Sequence, residues 1–290
     1  MTLTTTQAMA KFLEDISVTD YQKTSIIQAR KNRVVENLTA SFPSTSDLPF
    51  SSAILMGSAA KGTIVRPISD VDVLAVFSNS GNAWNNYRYD SQAFLYRIRS
   101  AYAGLSTAQV GARGQAVRIF FANGGHVDVA PVFSHGNDVY GLPKGDGGWI
   151  NTAPTVANKW FASKNAELGY NLAPLIRMLK QWNGAHSKRM QSFHLETVAA
   201  SMFKTLGSGR PSGLASFFEW APNRLDVGDP GEQSGSLTSY LSWYGRQDLQ
   251  DALRSAGERA KKAQAAEAAG DHVEAKRLWK IILGDAFPTN

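Results

Sequence analysis

Apolar positions along the first half of the chain follow two different periods. From Thr19 to Ser41 there is neither Gly nor Pro, and Ile26, Ile27, Val34, Val35 and Leu38 share one helical stripe, which predicts a long helix. Pro43 to Pro49 is a turn-rich link. The short apolar run Ala53, Ile54, Leu55, Met56 stops at Gly57 and predicts a buried strand, and Val71 to Phe77 predicts a second. A polar stretch with a helical segment over Ser91 to Ala103 follows. Val117 to Phe121 and His126 to Val132 then flank Asn123, Gly124 and Gly125, which is a hairpin signal. Beyond about Ala153 the alternation stops. Helix-period segments predict helices over 153–167, 172–184, 193–206 and 214–220. Asp248 to Ala269 is rich in Ala, Lys, Glu and Arg; Gly270 and Asp271 break it, and a new helix runs through Leu278, Trp279, Ile281 and Ile282. No fixed-period repeat is present.

These elements belong to a chain of 290 residues, 43% hydrophobic and 19% charged, which is ordinary globular composition and long enough for two lobes. There is no cysteine, so thiol nucleophiles, iron–sulfur clusters and zinc ribbons are excluded, and a metal must be held by oxygen or histidine. No signal-like amino terminus and no apolar run of about 18 residues are seen, so a cytoplasmic chain without a membrane partner is expected. Thirty basic against 24 acidic residues leave a net charge of +6. That balance favours anionic partners such as nucleotides or nucleic acid without choosing between them.

The chemistry concentrates at Gly57-Ser58, Gly62-Thr63 and Ser69-Asp70-Val71-Asp72. On a strand, side chains alternate, so Asp70 and Asp72 project from one face while Val71 and Val73 enter the other. Adjacent carboxylates are costly without a cation between them, and hard divalent ions take such oxygen ligands. Asp128 alternates with Val127 and Val129 in the later strand. If that hairpin pairs beside Val71 to Phe77, three carboxylates converge, as two-metal phosphoryl transfer requires. Gly57 allows close backbone approach, and Gly57 and Ser58 would offer N–H groups and a hydroxyl to phosphate at a helix start. Taken alone, Asp-x-Asp after Pro67 reads as a turn; the spacing together with the third aspartate reverses that reading.

The Gly57 to Asp72 pattern resembles the polymerase-beta-like nucleotidyltransferase signature, with Asp128 matching its third metal ligand. Leu175-Ile176-Arg177-Met178-Leu179-Lys180-Gln181-Trp182-Asn183, then Ser192-Phe193-His194-Leu195-Glu196, resembles the bacterial cGAS/DncV-like nucleotidyltransferases. The segment Ala275 to Pro288 looks like that family's carboxyl end, so the resemblance runs from about Ser51 to Pro288. It implies an α+β fold: a polymerase-beta-like lobe with a mixed sheet, residues 1–152 including a long amino-terminal spine helix, and an all-helical lobe, residues 153–290. It also implies an enzyme that joins ribonucleoside triphosphates, ATP and GTP among them, into a cyclic oligonucleotide. A cyclic dinucleotide second messenger for antiphage defence, acting on a downstream effector, is the leading expectation.

Carried over to this chain, Asp70, Asp72 and Asp128 would be catalytic and would bind two Mg²⁺ or Mn²⁺ ions. Gly57 and Ser58 would contact the donor triphosphate, Lys180 and Ser192 would touch its phosphates, and Phe193 would stack on a base. Each of the last three also has a plainer reading: Lys180 on a solvated helix face, Ser192 as an N-cap, Phe193 in the core. His194 reads as a satisfied core histidine, and Asp229-Pro230 as structural. Arg254, Arg259, Lys261 and Lys262 read as a solvated helical face. Without cysteines, DNA sensing through a zinc thumb is ruled out, and a monomer is expected. The metal signature is shared with nucleotidyltransferases that modify a protein, tRNA or small molecule. A non-catalytic nucleic-acid-binding module would be favoured by a lost carboxylate, and all three are present.

Overall fold

The computed structural model describes residues 3–102, 108–110, 115–122 and 124–290, with the backbone alone for 108–110. Asn123 of the expected turn and Ala103 at the end of the expected helix lie outside them. The chain divides into two compact units. One comprises Val18–Asn158 with Gly231–Ser234, the other Met1–Ser17, Lys159–Pro230 and Gly235–Asn290.

In the first unit the expected long helix is present but not uniform. Helix α2 (Asp20–Gln22) passes through a π-helical stretch, Lys23–Gln28, into α3 (Ala29–Ser41). Next come β1 (Phe50–Leu55), the short α4 (Gly57–Lys61) and β2 (Asp70–Phe77), followed by α5 (Ala83–Tyr87) and α6 (Ser91–Ser100). The strands β3 (Ala108–Val110), β4 (Val117–Phe120), β5 (His126–Gly136), β6 (Val139–Pro143) and β7 (Trp149–Thr152) complete one mixed sheet. Its order is β1-β2-β5-β4-β3, with β6 on β5 and β7 on β6. Among the described residues only β2 and β5 pair in parallel. Val71, Val73, Ala75 and Phe77 from β2, Val127, Val129 and Phe133 from β5, and Val117 and Ile119 from β4 bury one face against Val34 and Leu38 of α3 and Phe94, Leu95 and Ile98 of α6. This is the period-two pattern of the sequence, with its apolar face covered by helices.

The second unit is helical: α1 (Thr5–Ile16), most of α7 (Pro154–Glu167), α8 (Leu172–Ala185), α9 (Ser192–Met202), α10 (Arg210–Trp220), α11 (Trp243–Ala268) and α12 (His272–Leu283). Its core joins Phe12 of α1 to Leu175, Leu179 and Trp182 of α8, Leu253 and Ala260 of α11, and Trp279 and Ile282 of α12. Within α12, Trp279 and Ile282 turn inward while Ile281 is 41% exposed. Helix α1 is grouped with the helical unit, whereas the expected division placed it with the sheet. A capping box, in which Thr4 and Gln7 satisfy each other's backbone N–H groups, starts it, and its apolar face packs in the helical core. Phe12 meets Phe287 edge-on at 5.3 Å.

Candidate active site

The sheet positions the carboxylates. Asp70 and Asp72 open β2 on the face opposite Val71 and Val73. Further along that face Leu74 and Val76 pack with Met56, Val132 and Tyr140, so the acidic pair sits where the apolar cover ends. Parallel pairing sets Asp72 opposite Asp128 and Asp70 opposite His126, neighbours across a ladder whose strands lie about 4.8 Å apart. Asp70 is exposed and Asp72 and Asp128 are partly buried. Ser69 Oγ donates to Asp70 Oδ1 at 2.5 Å, and the Ser69 carbonyl accepts from the His126 N–H at 2.8 Å.

Gly57 is required where it stands. It begins α4 with φ +58°, and a Cβ built on it would lie 2.0 Å from Asp72 Oδ2. The Met56 N–H donates to the Asp72 carbonyl at 2.8 Å, which ties this turn to β2. Glycine thus lets the α4 backbone pass directly over a carboxylate oxygen. Ser58 follows on α4, and its carbonyl accepts from the Thr63 N–H at 2.9 Å, closing the turn.

A cation that sequence reasoning missed sits among the aspartates. Arg118 of β4 pairs in register with Asp128 and donates from Nε to Oδ1 and from Nη2 to Oδ2, both at 2.8 Å. This two-pronged contact is the strong geometry for guanidinium and carboxylate. The bonds to Asp128, then the charges of Asp128, Asp70 and Asp72, hold the guanidinium above its usual range. His126 Nε2 lies 3.7 Å from Asp128 Oδ2. The signal for Arg118 was its alternation with Val117 and Ile119, which puts it on the carboxylate face.

Oxygen donors at Asp70, Asp72 and Asp128 suit a hard divalent ion. Among the described residues, however, no three such side chains are drawn into one metal cluster. The pairing on which the expected convergence depends is present: Asp72 stands opposite Asp128 and all three carboxylates share a face, with Asp128 turned onto Arg118. Asp70, Asp72 and Asp128 are the oxygen donors on this face, with both Asp128 oxygens accepting from Arg118.

The helical unit gives a different account of the remaining candidates. Lys180 is on no solvated face: its Nζ lies 2.6 Å from Glu196 Oε1, with the two side chains 10% and 4% exposed. Ser192 is the first residue of α9 and exposed, with Gln191 as the N-cap, so the N-cap reading fails. Phe193 is half-buried, outside the core cluster. Both ring nitrogens of His194 are engaged, Nδ1 with the Tyr240 hydroxyl at 2.9 Å and Nε2 with the Leu225 carbonyl at 2.7 Å, and burial lowers its pKa.

Comparison with known proteins agrees with the geometry. Residues 1–165, more than half of the chain, match the family model described as Second Messenger Oligonucleotide or Dinucleotide Synthetase domain. A probable cyclic nucleotide synthase of Bacillus cereus (strain VD146) is 24% identical, the match covering 89% of this chain and 87% of that one. A cyclic AMP-AMP-AMP synthase of Escherichia coli (strain MS 115-1) is 25% identical over 74% of this chain and 70% of that one. In fold the chain is similar to CdnC in the E. coli MS115-1 CdnC:HORMA-deltaN complex, with TM-score 0.80 and 19% identity over 98% of both chains. The mixed sheet and helical unit are accordingly a polymerase-beta-like nucleotidyltransferase fold. The chain belongs to the second messenger oligonucleotide or dinucleotide synthetase family, the cGAS/DncV-like nucleotidyltransferases.

Proposed function

We propose that the protein joins ribonucleoside triphosphates into a cyclic oligonucleotide, releasing pyrophosphate, as a cytoplasmic second messenger of antiphage defence that acts on a downstream effector. The observation that carries this reading is the parallel register of β2 and β5, which sets Asp72 beside Asp128 with Asp70 on the same face. Asp70, Asp72 and Asp128 would hold two Mg²⁺ or Mn²⁺ ions; when bound, these supply activation of the attacking hydroxyl and charge neutralisation at the leaving group. In each transfer a ribose hydroxyl oxygen forms a bond to the α-phosphorus of a second nucleotide while the bond from that phosphorus to pyrophosphate breaks. Arg118 orients Asp128 toward the acceptor hydroxyl, and Gly57 keeps the backbone close to Asp72 while Ser58 meets the donor triphosphate. Lys180, Ser192 and Phe193 would add nucleotide contacts, Lys180 while its ammonium remains paired to Glu196.

Closure follows when the linear intermediate presents its own triphosphate and hydroxyl to the same carboxylates, which tethering favours. A cyclic dinucleotide is the leading product, and the relative named for a cyclic trinucleotide makes ring size the quantity to resolve. The test is incubation of purified protein with the four ribonucleoside triphosphates and Mg²⁺ or Mn²⁺, then phosphatase treatment and mass spectrometry. A phosphatase-resistant species of two or three nucleotides is expected. Phosphatase-sensitive chains only, or turnover only with a protein or tRNA acceptor, would overturn cyclisation in favour of transfer to another acceptor.

A further inference from the structure

The helical unit contains a cavity of about 500 Å³ bounded by α1, α8 and the segment leading into α10, and none of the residues proposed for catalysis lines it. Met9 and Leu13 of α1 supply its apolar side. Arg177 of α8 and Arg210, the first residue of α10, bring two guanidinium groups to it. Arg177 donates from Nη1 to Ser17 Oγ at 2.5 Å, and its Nε is buried without a hydrogen-bond partner. Arg210 Nη1 reaches the Asn171 carbonyl at 3.5 Å. Glu14 also lines the cavity. Burial first and the charge of Arg210 second lower the pKa of Arg177, and burial lowers that of Arg210.

Two like charges side by side and partly out of water are unfavourable unless something negative joins them, and the lining's one carboxylate, Glu14, leaves the pair in excess. Guanidinium forks are suited to bridging an oxyanion, a carboxylate or a phosphate, with paired N–H donors. The cap of the eleven-residue α10 is Gly209, which has no side chain to occupy the first-turn N–H groups, and Gly209 lines the same cavity. Ligand pockets combine an apolar lining with a few convergent polar groups, as here. We propose that this cavity binds a small organic oxyanion, its carboxylate or phosphate held between Arg177 and Arg210 and its apolar body against Met9 and Leu13.

The test uses the intact protein, with phenylacetate and phenyl phosphate as probes of the two head groups and sodium selenate to locate the anion by selenium anomalous scattering in crystals. Wild type, Arg177→Gln and Arg210→Gln are compared by calorimetric titration and by thermal midpoint, with sodium chloride at matched ionic strength. The expected result is saturable binding of at least one probe, weakened about tenfold or more in Arg210→Gln, and a selenate peak between the guanidiniums. Without probe, Arg210→Gln should unfold no earlier than wild type, because the repulsion it removes outweighs the loss of one long 3.5 Å contact to the Asn171 carbonyl. If Arg177→Gln fails to fold, Arg210→Gln alone decides. Absence of binding by both probes, equal binding by wild type and Arg210→Gln, or a selenate peak only at the β2–β5 carboxylate face or elsewhere would overturn the proposal.

Discussion

Replacing Gly57 by alanine separates the backbone's role in holding the site from its role in holding the fold. The added Cβ would fall 2.0 Å from Asp72 Oδ2, against 3.4 Å for an ordinary contact, so the carboxylate must retreat by about the difference, 1.4 Å. Displacements of roughly 1 Å in a catalytic group cost about a hundredfold in rate, equivalent to about 2.7 kcal/mol at the transition state. Alanine at φ +58° also incurs the left-handed penalty of about 1–2 kcal/mol, which lowers Tm by roughly 2–8 °C for a chain of this size. Gly62 supplies the control, because it sits at φ +67° with no heavy atom within 4 Å of its built Cβ. Gly62→Ala therefore incurs the same backbone penalty without touching Asp72. Pyrophosphate release from ribonucleoside triphosphates gives kcat/KM for each variant, and scanning fluorimetry without metal gives Tm. Both variants should lose similar stability, and only Gly57→Ala should lose about two orders of magnitude in activity. If Gly57→Ala keeps activity within about threefold of Gly62→Ala, the contact between this turn and Asp72 plays no part in the reaction.

Asp70→Asn combined with Asp72→Asn should abolish synthesis with an unchanged or higher metal-free Tm, since it removes ligands and repulsion together; activity within about tenfold of wild type would refute the ligand assignment. Arg118→Lys keeps a charge but loses the two-pronged grip on Asp128, so kcat should fall while KM for the nucleotides changes little, and Tm should move only slightly because the pair is partly solvated. Lys180→Ala breaks a buried pair and should cost about 3–5 kcal/mol, besides raising KM. Lys180→Met with Glu196→Leu should recover at least half of the lost Tm, and an unaltered Tm in Lys180→Ala would show that the pair does not support the fold. His194, whose pKa burial depresses below 6.5, is neutral in the folded protein while the unfolded chain takes up the proton. Its contribution to stability is therefore present above about pH 6.5 and lost as pH falls below it. Calorimetry from pH 7.5 to 5.5, conditions chosen around that roughly 6.5 reference, should show a steeper decline in wild type than in His194→Gln.

The carboxylates were legible because their signal is local: alternation within one strand fixes a face, and Asp70, Asp72 and Asp128 each alternate with buried valines. What alternation does not carry is the identity of the neighbour. Lys180 and Glu196 lie sixteen positions apart on successive helices, and their meeting depends on how α8 and α9 pack. Helix α1 carries a readable capping box and apolar stripe, yet its membership in the helical unit is set by contacts such as Phe12 with Phe287, at the other end of the chain. Arg118 shows how narrow the margin is. If Asn123, Gly124 and Gly125 formed the whole loop, Ala122 would pair with His126 and Arg118 with Ala130. The observed hairpin closes earlier, with the Phe121 N–H on the Gly125 carbonyl and Phe120 opposite His126. Relative to that loop, the closure moves the partner of Arg118 two residues along β5, from Ala130 to Asp128, on the same face. A slip of one residue would have turned Arg118 toward Val129 and the opposite face. The cation that governs the third carboxylate is thus selected by the closing pair of one hairpin, a quantity that residue types within either strand do not encode.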